Sequence, residues 1–462
     1  MAKVNVPVPS IKTHEGGIAK RIGPELQLRR SVMACLLWEG TFYESGEDIA
    51  TRIKNIIPQV APTIVAGIAI EAREKMKLRH VPLLIVREMA RHNEHKTLVS
   101  ETLSRVIQRA DELAEFLAIY WKEKKQPLSA QVKKGLAKAF TKFSAYDLAK
   151  YNQKGAVKLR DALFLCHAKP KDEEQAAIWK KLVDSTLESP DTWEVELSAG
   201  KDKKETWTRL MAEKKLGALA FLRNLRNMTS ADVNRDSMKE YLTSLKVDRV
   251  LPYRFIAASR FAPDLEPELE SSMFKAIGGV EKMPGRTVLL LDVSGSMDSP
   301  ISSKSDLQRF DAACGLAMLA REICEDARVF TFSQWLCEVP NRRGFALRDA
   351  IVQSQPHGGT YLGAAIGVLH GGKANDGMIR DRDHQSFGGR RAVGEYKGHP
   401  VPYDRLIVIT DEQAHDSIPD PKGLGYVINV AAYKNGVGYG SWLHVDGWSE
   451  AVLTYIQKSE ER

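Results

Sequence analysis

Apolar residues recur every three or four positions through roughly the first 280 residues, and from Thr287 onward they bunch into short runs instead. The first pattern is that of amphipathic helices, each with one buried stripe. Residues 102–120 place Leu103, Val106, Ile107, Ala110, Leu113, Ala114 and Leu117 on one stripe, and residues 130–144 repeat it with Val132, Leu136, Ala139, Phe140 and Phe143. The same period covers 61–77, 82–91, 176–185, 203–226 and 236–245, with Pro, Gly, Asn or Asp between the segments. Short helices in succession, each too small to bury its own stripe, predict a stacked helical-repeat array of HEAT type. No strict repeat period is legible.

The second pattern alternates. A strand at 287–291 precedes a helix near 307–326, a strand at 328–332, helices at 345–353 and 361–369, strands at 405–410 and 426–430, and a last helix at 450–457. Such βαβα order predicts a doubly wound α/β domain, a parallel sheet with helices on both faces. The chain therefore reads as multidomain: an N-terminal arm over 1–20, a helical-repeat domain over 21–283, and the α/β domain over 284–462. Residues 370–404, rich in Gly, Arg and Asp, read as a long loop.

Composition narrows the class. With 43% hydrophobic residues the chain can bury large cores. No apolar run approaches the roughly twenty residues that span a bilayer, and the first residues carry no secretion core. Five scattered cysteines without Cys-x-x-Cys spacing point to reduced thiols in a cytoplasmic protein without a zinc site. Charge is uneven: residues 1–280 hold 47 Lys and Arg against 36 Asp and Glu, a net +11, while the remainder carries −3. The helical part is thus the part suited to a polyanion.

Two chemistries follow from particular residues. The strand 287–291 ends in Asp292, followed by Ser294 and Ser296 around a turning Gly295. Thr360 closes the turn His357-Gly358-Gly359-Thr360, and Asp411 ends the strand 405–410. Oxygen donors without nitrogen or sulfur, at the carboxyl ends of strands, suit a hard divalent cation, magnesium foremost. The plain alternative is a turn in which Ser294 or Ser296 caps the next helix. The order Asp, Ser, Ser, distant Thr, distant Asp resembles the metal-ion-dependent adhesion site of von Willebrand factor A domains at all five positions. The resemblance implies a cation that either docks an acidic protein ligand or pins three loops together.

The helical part offers cations. Lys133, Lys134, Lys138 and Lys142 lie on the side opposite the apolar stripe of 130–144. Lys154, Lys158, Arg160, His167, Lys169 and Lys171 follow closely. Lysines at such positions would meet phosphates, and His167 or an arginine a base or sugar. The bland reading makes His167 a satisfied histidine at a helix end. Three phrases here resemble the TROVE module of the Ro autoantigen family. They are Tyr151-Asn152-Gln153-Lys154-Gly155 running on to Asp161-Ala162-Leu163-Phe164-Leu165-Cys166-His167-Ala168-Lys169-Pro170, then Leu219 to Thr229, then Val250 to Phe255. They lead into a von Willebrand A-like module, the family's own arrangement. The resemblance implies a ring of HEAT-like helices closed by that module. It implies small structured non-coding (Y-like) RNA on a basic outer face, near Lys138 and His167. It also implies single-stranded 3′ ends of misfolded RNA in a central hole, in RNA quality control or decay. An exoribonuclease partner and a monomeric state apart from RNA belong to the same expectation.

Enzymatic readings fail on spacing. Gly367-x-x-x-x-Gly372-Lys373 is followed by Ala374, so a phosphate loop would lack its magnesium-binding hydroxyl. Ser294 follows Asp292, outside a Gly-x-Ser-x-Gly elbow. His92-Asn93-Glu94-His95 has the wrong spacing for a zinc protease helix and reads as solvent-facing helix-end residues. A non-enzymatic RNA scaffold is expected, against the alternative of a cation-dependent interaction or chaperone subunit that binds no RNA.

Overall fold

The computed structural model describes residues 11–12, 18–19, 23–33, 46–74, 78–152, 155–248, 250, 252–278, 281–301, 307–372, 400–431, 440–446 and 451–460. The chain divides into two compact units, one of residues 23–38 and 47–215, the other of residues 1–22, 39–46 and 216–462.

The first unit is helical: α1 (Pro24–Met33), α2 (Gly46–Ile56), α3 (Pro62–Glu74), α4 (His80–Arg91), α5 (Lys96–Val106), α6 (Asp111–Tyr120), α7 (Ala130–Phe140), α8 (Ala145–Tyr151), α9 (Leu159–Cys166), α10 (Glu173–Val183), α11 (Trp193–Ser198) and α12 (Lys203–Ala212). Helices α3, α4 and α5 pack together, α5 packs on α7, and α7 on α9. Gly135 sets the α5–α7 approach, since a Cβ there would lie 2.9 Å from the Ser100 carbonyl oxygen.

Two expected helices, 102–120 and 203–226, are each two, and the one expected over 130–144 ends early, at Phe140. The stripe at 102–120 breaks between α5 and α6, because the buried Glu112 carboxylate accepts the N–H groups of Gln108 (2.8 Å) and Arg109 (3.0 Å). Donors committed to a side chain cannot continue a helical ladder. That carboxylate is held in turn by Arg73, Nη2 to Oε1 at 2.7 Å. At 130–144 the Ser144 hydroxyl and the Asp147 carboxylate each accept the other's backbone N–H, a capping box that starts α8. The stretch 203–226 breaks at Lys214, which turns left-handed at φ 54° before Gly217.

The second unit begins with an antiparallel pair, β1 (Ile11–Lys12) and β2 (Ile18–Ala19). Helices α13 (Ala218–Ser230), α14 (Arg235–Ser244), α15 (Tyr253–Ser259) and α16 (Glu266–Ile277) follow. The α/β elements are β3 (Met283–Asp292), α17 (Arg309–Ile323), β4 (Cys324–Phe332), β5 (Leu336–Glu338), α18 (Gly344–Val352), α19 (Leu362–Leu369), β6 (Arg405–Thr410), β7 (Leu424–Asn429), β8 (Leu443–Asp446) and α20 (Ala451–Glu460). Since α15 packs on α17, and α16 on α17 and α18, residues 216–277 group with the sheet.

The six-stranded sheet has the order β5-β4-β3-β6-β7-β8. It is parallel except at the β4–β5 edge, where Phe332 faces Leu336 across a tight hairpin. The expected parallel sheet is present with one antiparallel edge strand; β5 and β8 are too short to register as apolar runs in the sequence. Leu289 on the central β3 pairs with Val329 on β4 and Ile407 on β6, and β6 is buried throughout. Of the expected loop 370–404, residues 373–399 lie outside the described residues.

Candidate metal centre and basic helical face

The sheet delivers Asp292 and Asp411 side by side, at the carboxyl ends of the neighbouring strands β3 and β6. Both are fully buried. Asp292 Oδ1 accepts the Ser294 N–H at 2.8 Å and Oδ2 accepts the Thr410 hydroxyl at 2.6 Å, so the carboxylate is aimed before any ligand arrives. Ser294 Oγ stands 3.2 Å from Ser296 Oγ. The Gly295 N–H donates to the Gly358 carbonyl at 3.0 Å, which ties this turn to the segment carrying Thr360. Thr360 is buried, and its carbonyl accepts the His415 N–H at 3.1 Å, which ties it to the loop beyond Asp411. All five expected positions therefore sit on three mutually bonded loops.

Two carboxylates meet there away from water. Burial, and then the neighbouring Asp411 carboxylate, push the Asp292 pKa up from the usual range. A residue that the motif did not single out already supplies one positive charge. Arg309, at the start of α17 and buried, donates through Nη1 to Asp411 Oδ2 and to the Ser296 carbonyl, both at 3.2 Å. The signal was present as an arginine in Leu307-Gln308-Arg309-Phe310, but nothing local says it turns inward. Asp292, Ser294, Ser296, Thr360 and Asp411 form an oxygen-only donor set that fits a hard divalent ion.

Lower in the loop cluster, Asp416 caps α19 by accepting the N–H groups of Gly363 (3.0 Å) and Ala364 (2.7 Å). Gly367 lies inside that helix, and the Gly372 N–H closes on its carbonyl at 2.8 Å, the geometry of a helix end.

In the helical unit the expected RNA contacts divide by what they already hold. Lys138 pairs with Glu101 at 2.5 Å on an open surface. Lys142 turns back: its ammonium donates to the Ser104 carbonyl and, at 3.0 Å, to that of Ile107, the free end of α5. Burial, and then Lys138, lower its pKa. Lys142 thus also caps a helix, with two of its three donors on carbonyls that α5 cannot satisfy, while the residue stays exposed. Arg160 lies 3.7 Å from Asp161, and Lys171 3.8 Å from Asp172. Lys133, Lys134, Lys158 and Lys169 make no side-chain contact with an acidic group among the described residues, and Lys134, Lys158 and Lys169 are exposed. Lys154 lies outside the described residues.

His167 ends α9 in the left-handed conformation, φ 54° and ψ 40°, with an exposed ring. It is at a helix end, as the bland reading had it, but the ring is unsatisfied among the described residues. His95, expected at the surface, is buried, in the turn that leads into α5.

The TROVE domain family matches residues 184–283, which contain the two later phrases, 219–229 and 250–255. Within that stretch the chain is similar to TROVE-domain proteins. Over 239 residues, 48% of this chain, it is 27% identical to telomerase protein component 1 of Mus musculus. Over 177 residues, 37% of this chain, it is 26% identical to the RNA-binding protein RO60 of Caenorhabditis elegans. Those matches span 8% and 27% of the relatives' own lengths. The crystal structure of the Deinococcus radiodurans Ro (RSR) protein superposes with a TM-score of 0.59 over 94% of this chain and 100% of that one, at 19% identity. Helical repeats followed by a von Willebrand A-like domain are thus the fold of both.

Proposed function

We propose that this chain is an RNA-binding scaffold of the Ro type. It would take small structured non-coding RNA on the face formed by α7 and α9, engage single-stranded 3′ ends of misfolded RNA, and serve RNA quality control. The observation that carries this is the set of uncommitted cations: Lys133, Lys134, Lys158 and Lys169, with His167, stand on or beside two helices that pack together. Unpaired lysines are ordinary at a surface, but four of them on or beside one packed helix pair would attract a polyanion. The RNA-binding protein RO60 among its relatives supports the same reading. No side chain takes a catalytic part in it.

The second part of the proposal is a divalent cation at the ends of β3 and β6. Asp292, Ser294, Ser296, Thr360 and Asp411 would hold it, and it would offer a Lewis-acidic position to an acidic group of a protein partner. Arg309 shares Asp411 with it, so the loops keep one compensating charge at all times.

Equilibrium binding of a labelled stem-loop RNA tests the first part, with a duplex DNA of equal charge as competitor. Retention of the stem-loop against the competitor is expected. Equal displacement by both would reduce the face to a nonspecific cationic surface.

A further inference from the structure

On α9 the buried positions are Leu159, Ala162, Leu163 and Cys166, which leaves Arg160, Asp161, Phe164, Leu165 and then His167 outward. Phe164 is 59% exposed and Leu165 37%. Phe164 is the most exposed large apolar side chain among the described residues, so its ring face is open to a flat partner. Its surroundings are polar and carry more positive than negative charge: Arg160 and its partner Asp161 one turn before, His167 three residues after with its N–H on the Phe164 carbonyl at 3.2 Å, and Lys158 and Lys169 at the two ends of the helix. An apolar protein ligand would make no use of Lys158 and Lys169, which have no acidic neighbour among the described residues. A nucleic-acid base has a flat apolar face joined to a phosphate on either side, so it satisfies both the ring and the cations.

We infer that Phe164 is a stacking platform for one unpaired base of bound RNA, with Arg160 and His167 flanking it on the sugar-phosphate side. The inference rests on the RNA-binding reading above and sharpens it, because a stacking platform takes single strands or bulged loops and cannot take a closed duplex. Phe164 is at the surface, so its replacement leaves the core of α9 intact.

The test compares Phe164→Ala, Phe164→Leu and Phe164→Trp in the full chain, with a single-stranded oligouridylate and a blunt RNA duplex of the same length as probes. Phe164→Ala and Phe164→Leu are expected to weaken single-strand binding by about five- to a hundredfold, with duplex binding and the melting temperature unchanged. Phe164→Trp is expected to keep the affinity and to show quenched indole emission on binding. A Phe164→Leu variant that binds like wild type overturns the inference, because an apolar contact without a ring then suffices. Equal losses on single strand and duplex overturn it as well. If Phe164→Ala binds like wild type while lysine variants of α7 fail, the stacking inference falls and the RNA-binding reading stands. A wild-type chain that binds neither probe overturns both.

Discussion

Arg309 Nη1 lies 3.2 Å from Asp411 Oδ2, with both side chains out of solvent. A buried pair of this kind contributes little net stability while intact but costs much when one partner is removed. Here the cost has a distinctive form, since Asp292 stands beside Asp411 and shares the deficit of positive charge. Arg309→Met is expected to lower stability by about 3–5 kcal/mol in chelator. Magnesium at a hundred times its dissociation constant should then restore about 2.7 kcal/mol. Thermal melts with and without Mg2+ check this. At that same Mg2+ concentration wild type, expected to bind the ion more weakly because Arg309 already occupies Asp411, should respond less than the variant, and identical shifts would show that Arg309 and the cation do not share a role.

His167 occupies a left-handed cap position where glycine is preferred. His167→Gly removes both the strained backbone and the ring, so it should leave the chain as stable or more stable by about 1 kcal/mol. RNA affinity should nevertheless fall. Melting and binding measured on the same preparation separate the two. A variant that binds as wild type would make His167 a cap and nothing more.

Lys142 should behave in the opposite way. Its ammonium serves the Ser104 and Ile107 carbonyls, so Lys142→Ala is expected to cost about 1 kcal/mol of stability, the usual worth of a cap. RNA affinity should stay within twofold. Urea melts paired with filter binding decide between cap and contact.

The buried His95 gives the helical unit an acid limit. Burial, and then the nearby His92, lower its pKa from 6.5, and neither ring nitrogen finds a partner among the described residues. The unfolded chain therefore takes up a proton first as pH falls, so this residue's contribution is intact above about pH 6.5 and is lost on going below it. His95→Leu should flatten the stability profile between about pH 7 and 5 relative to wild type. Parallel profiles would mean that His95 is not what titrates there.

How much of this was legible follows from where the determinants sit. Strand ends that stop on Asp292 and Asp411 announce themselves, because an apolar run and its terminal carboxylate are adjacent in sequence. Alternation likewise gave the order of β3, β4, β6 and β7. The break at 107–110 was invisible because it depends on Arg73 holding Glu112 from another helix. The capping by Lys142 was invisible for the same reason: its i, i+4 position resembles that of Lys134 and Lys138, and only the neighbouring end of α5 gives it that part. Arg309 combines both problems, since local sequence gave no sign of whether its charge faces water or Asp411.

Salt dependence is the most direct measure of whether the basic face grips phosphates. The logarithm of the affinity for a labelled small structured RNA should fall linearly with the logarithm of salt concentration, by roughly 0.7–0.9 per phosphate contact. Replacing Lys133, Lys134, Lys158 and Lys169 by Glu should weaken binding and make that slope shallower, with the melting temperature retained. Weak binding that is insensitive to salt and identical in the quadruple variant would contradict the account.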